Sequence, residues 1–126
     1  MGKSGTYQTG FAKLTRKTNH GNFYAEVEVT MMSLDKDEDQ IITIEVPNAA
    51  RWRRAYELGI SLATLKWPHV LARWHIRVTG VKELVGDTND IAVAFATYAA
   101  IADAIKMPFE ELLTTTWAIM DKSKVK

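Results

Sequence analysis

Ile91 to Ala102 reads IAVAFATYAAIA, an apolar run interrupted only by Thr97 and Tyr98 and closed by Asp103. Its length decides where it can sit. A membrane span needs roughly 20 apolar residues, and this run offers only about twelve. A helix that is apolar around most of its circumference, yet this short, belongs inside a folded domain and is covered on more than one side. The stretch before it, GDTND (Gly86–Asp90), is polar. Asp87, Thr88 or Asn89 can cap the helix, and Asp90 in the first turn suits the macrodipole.

The covering layers are legible upstream. Asn22 to Met32, NFYAEVEVTMM, alternates: Phe23, Ala25, Val27, Val29 and Met31 face one way, and Tyr24, Glu26, Glu28 and Thr30 the other. That period of two predicts a half-buried strand. Gln40 to Val46, QIITIEV, is the next strand, with Ile42, Ile44 and Val46 inward. The charged turn DKDED (Asp35–Asp39) predicts that the two pair as a hairpin. Tyr7 to Arg16 is a first strand with poor alternation. Arg73 to Lys82 alternates again, with Trp74, Ile76 and Val78 inward and His75, Arg77 and Thr79 outward.

Pro47-Asn48 breaks the third strand and opens a helix over Ala49–Lys66, with Asn48 as its cap. Trp52, Tyr56, Gly59, Leu62, Ala63 and Leu65 recur at helical spacing as its apolar stripe. Gly59 in mid-helix costs about 1 kcal/mol relative to Ala, which a close approach of another element would explain. Trp67-Pro68 ends the helix. Pro108 begins a further helix, with Phe109, Leu112, Leu113, Trp117 and Met120 as its stripe. The order predicts an α+β fold: a mostly antiparallel four-stranded sheet with helices packed on one face, β-β-β-α-β-α plus a C-terminal helix. One domain over residues 1–126 is expected, with loose tails at 1–6 and 122–126.

Charge and composition exclude some classes. The formal net charge is +1, so nothing global favours nucleic acid or a membrane surface. The chain has no cysteine, which removes disulfides, thiol catalysis and thiolate metal sites. MGKSGTYQTG lacks the apolar run of a signal peptide, so a cytoplasmic protein is the expectation. GKS at Gly2–Ser4 lacks the upstream Gly and the preceding strand of a phosphate loop.

AEVEV, IEVP leading into a helix, WHIRVTG and then GDTNDIAVAFATYAA together resemble the fold named after the second domain of small-subunit ribosomal protein five. That fold also occurs in domain four of elongation factor G, in the Lon proteolytic domain and in the N-terminal domain of magnesium-chelatase-like and ComM-like proteins. The resemblance covers roughly residues 23–107. Lon-like proteolysis requires a serine before the last helix and a lysine partner. This chain has Asn89-Asp90 there and no lysine before Lys106, so that activity is not implied. ComM-like proteins continue into a Walker ATPase, and no Walker motif is read in these residues, so ATPase activity is not expected either. The elongation-factor likeness implies contact with ribonucleoprotein. The C-terminal third also resembles the last helices of MazG-type nucleotide pyrophosphohydrolases, but the strands before it contradict that all-helical fold.

Three groups of residues are candidate sites. Tyr24, Glu26, Glu28, His75 and Arg77, with Glu45, share the outward sheet face as a docking surface. Glu26, Glu28 and His75 could alternatively serve as an acid–base set. Arg51 and Arg54, with Arg53 and Lys66, form a basic helix face that could join a binding surface, and Lys13, Arg16, Lys17 and His20 could extend it. Asp87 and Asp90 could bind a divalent cation, which would make the chain a small metal-dependent hydrolase. The first expectation is a non-catalytic binding module for a protein or ribonucleoprotein partner, without cofactor or membrane. The open sheet and the amphipathic terminal helix also suit a homo-oligomer.

Overall fold

The computed structural model describes residues 7–18, 21–35, 37–84 and 86–106. The four strands are β1 (Tyr7–Thr18), β2 (Gly21–Ser33), β3 (Ile41–Ile44) and β4 (Trp74–Lys82). A 3-10 turn at Ala49–Trp52 leads into α1 (Arg53–Lys66), followed by the short α2 (Pro68–Leu71) and by α3 (Asp90–Ala104). This is the expected α+β architecture, a mostly antiparallel sheet with helices packed against it. The further helix expected from Pro108, with Phe109 to Met120, lies outside the described residues, as do residues 1–6 and 122–126.

The sheet order is β1-β2-β4-β3, which corrects the hairpin expected of β2 and β3. β4 inserts between them, antiparallel to β2 and parallel to β3. The physical reason is burial. β4 carries Ile76 and Val78, both fully buried, and takes the central place, whereas Ile41 and Ile42 of β3 remain about two-fifths exposed at the rim (41% and 42%). The DKDED turn is therefore a connection between separated strands.

β1 pairs with β2 along its whole length, Tyr7 opposite Met32 and Thr18 opposite Gly21. Its alternation is hard to read because it is inverted in size. The residues facing α3 are Gly10, Ala12 and Leu14, while Tyr7 and Phe11 point away and are more than half exposed. Small residues are needed where α3 lies almost on the strand: a Cβ on Gly10 would stand 1.9 Å from the carbonyl oxygen of Ala100. The Asp103 carboxylate accepts the Phe11 N–H at 3.0 Å, covering one amide on the outer edge of β1.

α3 is the interior helix that its sequence requires. Residues 92–94, 96–102 and 104 are buried. Asn89 is its cap, its side chain accepting the Ala92 N–H at 2.9 Å. Thr97, buried and polar, donates to the Val93 carbonyl one turn back at 2.8 Å. α1 crosses α3 at Gly59, where a Cβ would come within 2.4 Å of the Ala94 carbonyl oxygen. The Trp67 and Tyr98 rings stack at 5.5 Å beside this crossing.

Two details of α1 depart from the sequence reading. Asn48 does not cap through its side chain. It adopts the left-handed conformation, φ 56°, and its carbonyl accepts the Arg51 N–H at 3.0 Å. The buried stripe is Ala55, Tyr56, Gly59, Ile60 and Ala63, so Leu65 falls outside it and is 80% exposed. Two residues beyond Ala63 is a rotation of about 200°, toward solvent.

Tyr56 is fully buried, and its hydroxyl has no hydrogen-bond partner among the described residues. Burial, with a smaller contribution from the negative charge of Glu83, pushes its phenol up to about 12 from 10.0. The folded chain thus keeps the proton that the unfolded chain releases near pH 10. This contribution to stability is complete below pH 10 and is lost as pH rises toward about 12. Tyr56→Phe should remove that part of the alkaline decline. At pH 7 it should change stability by about 1 kcal/mol or less, because no protein hydrogen bond is lost. Urea melts of both proteins across this pH range check it, and parallel declines would refute it.

Candidate functional site

The helices lie on one side of the sheet, and among the described residues nothing covers the other. Strand alternation sets who stands there. β2 contributes Tyr24, Glu26, Glu28, Thr30 and Met32, all partly buried by their neighbours. Their β1 partners are Thr15, Lys13, Phe11, Thr9 and Tyr7, all exposed. β4 adds His75, Arg77, Thr79 and Lys82, β3 adds Ile41 and Thr43, and Glu45 follows directly after β3.

Most polar groups on this face are bound to one another. Arg77 donates to Glu45 twice, Nε to Oε2 at 2.8 Å and a terminal nitrogen to Oε1 at 2.7 Å. These hydrogen bonds hold the Glu45 carboxyl below its ordinary range and raise the Arg77 guanidinium. The His75 Nε2 and Thr43 Oγ1 lie 2.8 Å apart. The Tyr24 hydroxyl donates to Glu26, and that bond raises the phenol. Thr79 donates to Glu28 Oε1 at 3.0 Å and sits 3.3 Å from Thr30 Oγ1.

Thr79 marks an irregularity. Val29 pairs with Val78 but Glu28 pairs with Gly80, so β4 has one extra residue there. With no side chain on Gly80, a recess of about 260 Å³ opens, lined by Phe11, Glu26, Glu28, Gly80, Val81 and Lys82. A Cβ on Gly80 would lie 3.2 Å from the Cβ of Glu28. The recess offers one aromatic wall, two carboxylates and one ammonium to whatever enters.

The residues singled out in the sequence divide. Tyr24, Glu26, Glu28, His75 and Arg77 stand on the open face. The acid–base grouping of Glu26, Glu28 and His75 does not form: His75 is opposite Met32 and Glu28 opposite Gly80. That separates the imidazole from Glu28 by roughly 13 Å along the strand. Arg51 and Arg54 belong to the helical layer. Arg51 lies over the Trp52 ring at 5.0 Å and 3.9 Å from Glu83, and Arg53 faces Glu57 at 3.8 Å. Lys13 and Lys17 are exposed, and His20 is outside the described residues. At the loop before α3, the Asp87 carbonyl accepts the Tyr24 N–H and Thr88 donates to the Tyr24 carbonyl, tying the loop to β2. Asp90 is exposed. Among the described residues no three His, Asp or Glu side chains gather as a metal site.

Phe11, Gly80, Val81 and Lys82 were not singled out in the sequence. A signal existed: a glycine inside a strand pattern marks a bulge or a close approach. Taking every second residue from Tyr7 would also have put Phe11 and Lys13 on the Glu26 side.

No protein-family model matches the chain, and no curated protein matches it. Among solved structures it is similar to a Thermus thermophilus protein described as ttk003000868, with a TM-score of 0.66 and 17% identity. The match covers 75% of this chain but only 15% of that one, so the chain corresponds to a small part of a much longer protein. This likeness concerns the fold alone. No helix among the described residues is long and apolar enough to cross a membrane.

Proposed function

We propose that this chain is a non-catalytic binding module that engages a protein or ribonucleoprotein partner through the open sheet face. The observation that carries this reading is the recess at the β4 bulge. On the rest of the face Arg77 is matched by Glu45 and His75 by Thr43; Glu26 and Glu28 each accept one hydroxyl, from Tyr24 and Thr79, and together with Phe11 and Lys82 they converge on a hollow. An aromatic ring beside carboxylates suits a basic side chain, through cation–π contact and a charge-assisted hydrogen bond. The fold reading behind it is the ribosomal-protein-five-like class, in which a sheet-and-helix domain acts by its surface. Ribonucleoprotein is accordingly the first partner to try.

Co-sedimentation with purified ribosomal particles, and separately with ribosomal proteins freed of RNA, tests the proposal. The chain should enter at least one pellet fraction at low salt. The pair Phe11→Ala and Glu28→Gln should weaken that binding ~10-fold or more. Both positions are partly or largely exposed, so the variant should fold. Absence of binding in both fractions, or full binding by the variant, overturns the reading.

A further inference from the structure

The rim of the sheet at β3 carries a second surface, on the helical side. Leu58 and Leu65 of α1 are 52% and 80% exposed, and Ile42 is 42% exposed. With Ser61 and the half-buried Leu62, they give α1 an outward stripe at positions 58, 61, 62 and 65, the spacing by which one helix packs along another. A groove of about 340 Å³ runs between this stripe and the strand, lined by Gln40, Ile42, Ile60, Ser61, Thr64 and Leu65. Among the described residues no strand pairs with the outer side of β3. The Glu45 N–H points into the sheet, to the Val78 carbonyl at 2.8 Å, so by alternation Ile42 and Ile44 direct their N–H and C=O groups outward. The opposite edge, β1, differs, because Asp103 already takes the Phe11 amide.

We propose that this surface binds a second copy of the chain about a two-fold axis, joining β3 to β3 antiparallel and α1 to α1. The surface is complementary to itself, as an isologous interface requires. Antiparallel pairing about Thr43 sets Ile42 opposite Ile44 of the other copy, each pair exchanging both main-chain bonds. The same axis, passing between Ser61 and Leu62, sets Leu58 against Leu65. It also sets Glu57 against Lys66, turning a like-sequence contact into opposite charges. Ser61 and Ile42 line one groove, so the strand and helix contacts fall on one surface. An unrelated partner would need none of these reciprocal matches.

This inference is independent of the open-face reading. Sedimentation velocity of the full chain from about 1 to 100 µM tests it, a range in which a standard-sized interface shows itself. A reversible monomer–dimer equilibrium is expected. Leu65→Glu should weaken it ~10-fold or more. Lys66→Glu should also weaken it, and adding Glu57→Lys should restore it. Thermal melts of each variant confirm folding, and the charge-swap arm stands alone if Leu65→Glu fails to fold. A monomer across the range, a dimer indifferent to these changes, or a swap that fails to restore association overturns the proposal. Phe11→Ala should leave the equilibrium untouched.

Discussion

Gly59→Ala should destabilise the protein by about 2–3 kcal/mol. Helix propensity alone argues the reverse, since Ala in place of Gly gains an exposed helix about 1 kcal/mol. Geometry decides against propensity here. The new methyl would stand 2.4 Å from the Ala94 carbonyl oxygen and 2.7 Å from Thr97 Cβ, and neither is the free end of a flexible side chain. α1 and α3 must separate to admit it. Gly10→Ala should cost more, at least ~3 kcal/mol, because its Cβ would meet the Ala100 oxygen at 1.9 Å and the Ala104 nitrogen at 2.6 Å. α3 would have to rise off β1. Denaturant midpoints measure both. A Gly59→Ala protein as stable as the parent would show that the helices do not cross at this residue.

Ile76→Ala carries the second large effect, about 2–5 kcal/mol. Ile76 is fully buried in β4, between Met31 of β2 and Ile42 of β3. The removed atoms leave a hole that strands on both sides prevent from closing. Domain stabilities run about 5–15 kcal/mol, so much of the total is at stake. Ile42→Ala is the control. It is Ile76's direct neighbour in the ladder but 42% exposed, and should cost about 1 kcal/mol or less. If the two losses were equal, β4 would not be the central strand.

Periodicity carried the sequence reading where one face was uniformly apolar. Phe23 to Met31 and Ile91 to Ala102 declare their burial in composition alone. In the fold the inward residues of the first are buried, and so is the second from Ala92 onward apart from Phe95. Periodicity failed where size, not polarity, marks the inner face: on β1, Gly10 and Ala12 face α3 while Tyr7 and Phe11 face out. Strand order was hidden because pairing depends on which strand gains most from the centre, a comparison between distant segments. DKDED looks like a hairpin turn whichever partner β3 takes. The outward set Tyr24, Glu26, Glu28, His75 and Arg77 followed from alternation. Its division into matched pairs and a recess did not, because the extra residue at Thr79 shifts the register only once β2 and β4 are side by side.

The insertion of β4 has a consequence for a chain emerging from the ribosome. β1 and β2 are adjacent in sequence and can close as soon as Ser33 is free. The segment IITIEV begins eight residues on, yet the strand it pairs with among the described residues is made some thirty residues later. During that interval a β-prone, greasy stretch stands without a mate, the kind of window in which nascent chains stick to each other. The acidic cluster immediately ahead of it, Asp35 to Asp39, is placed to repel neighbours until synthesis catches up.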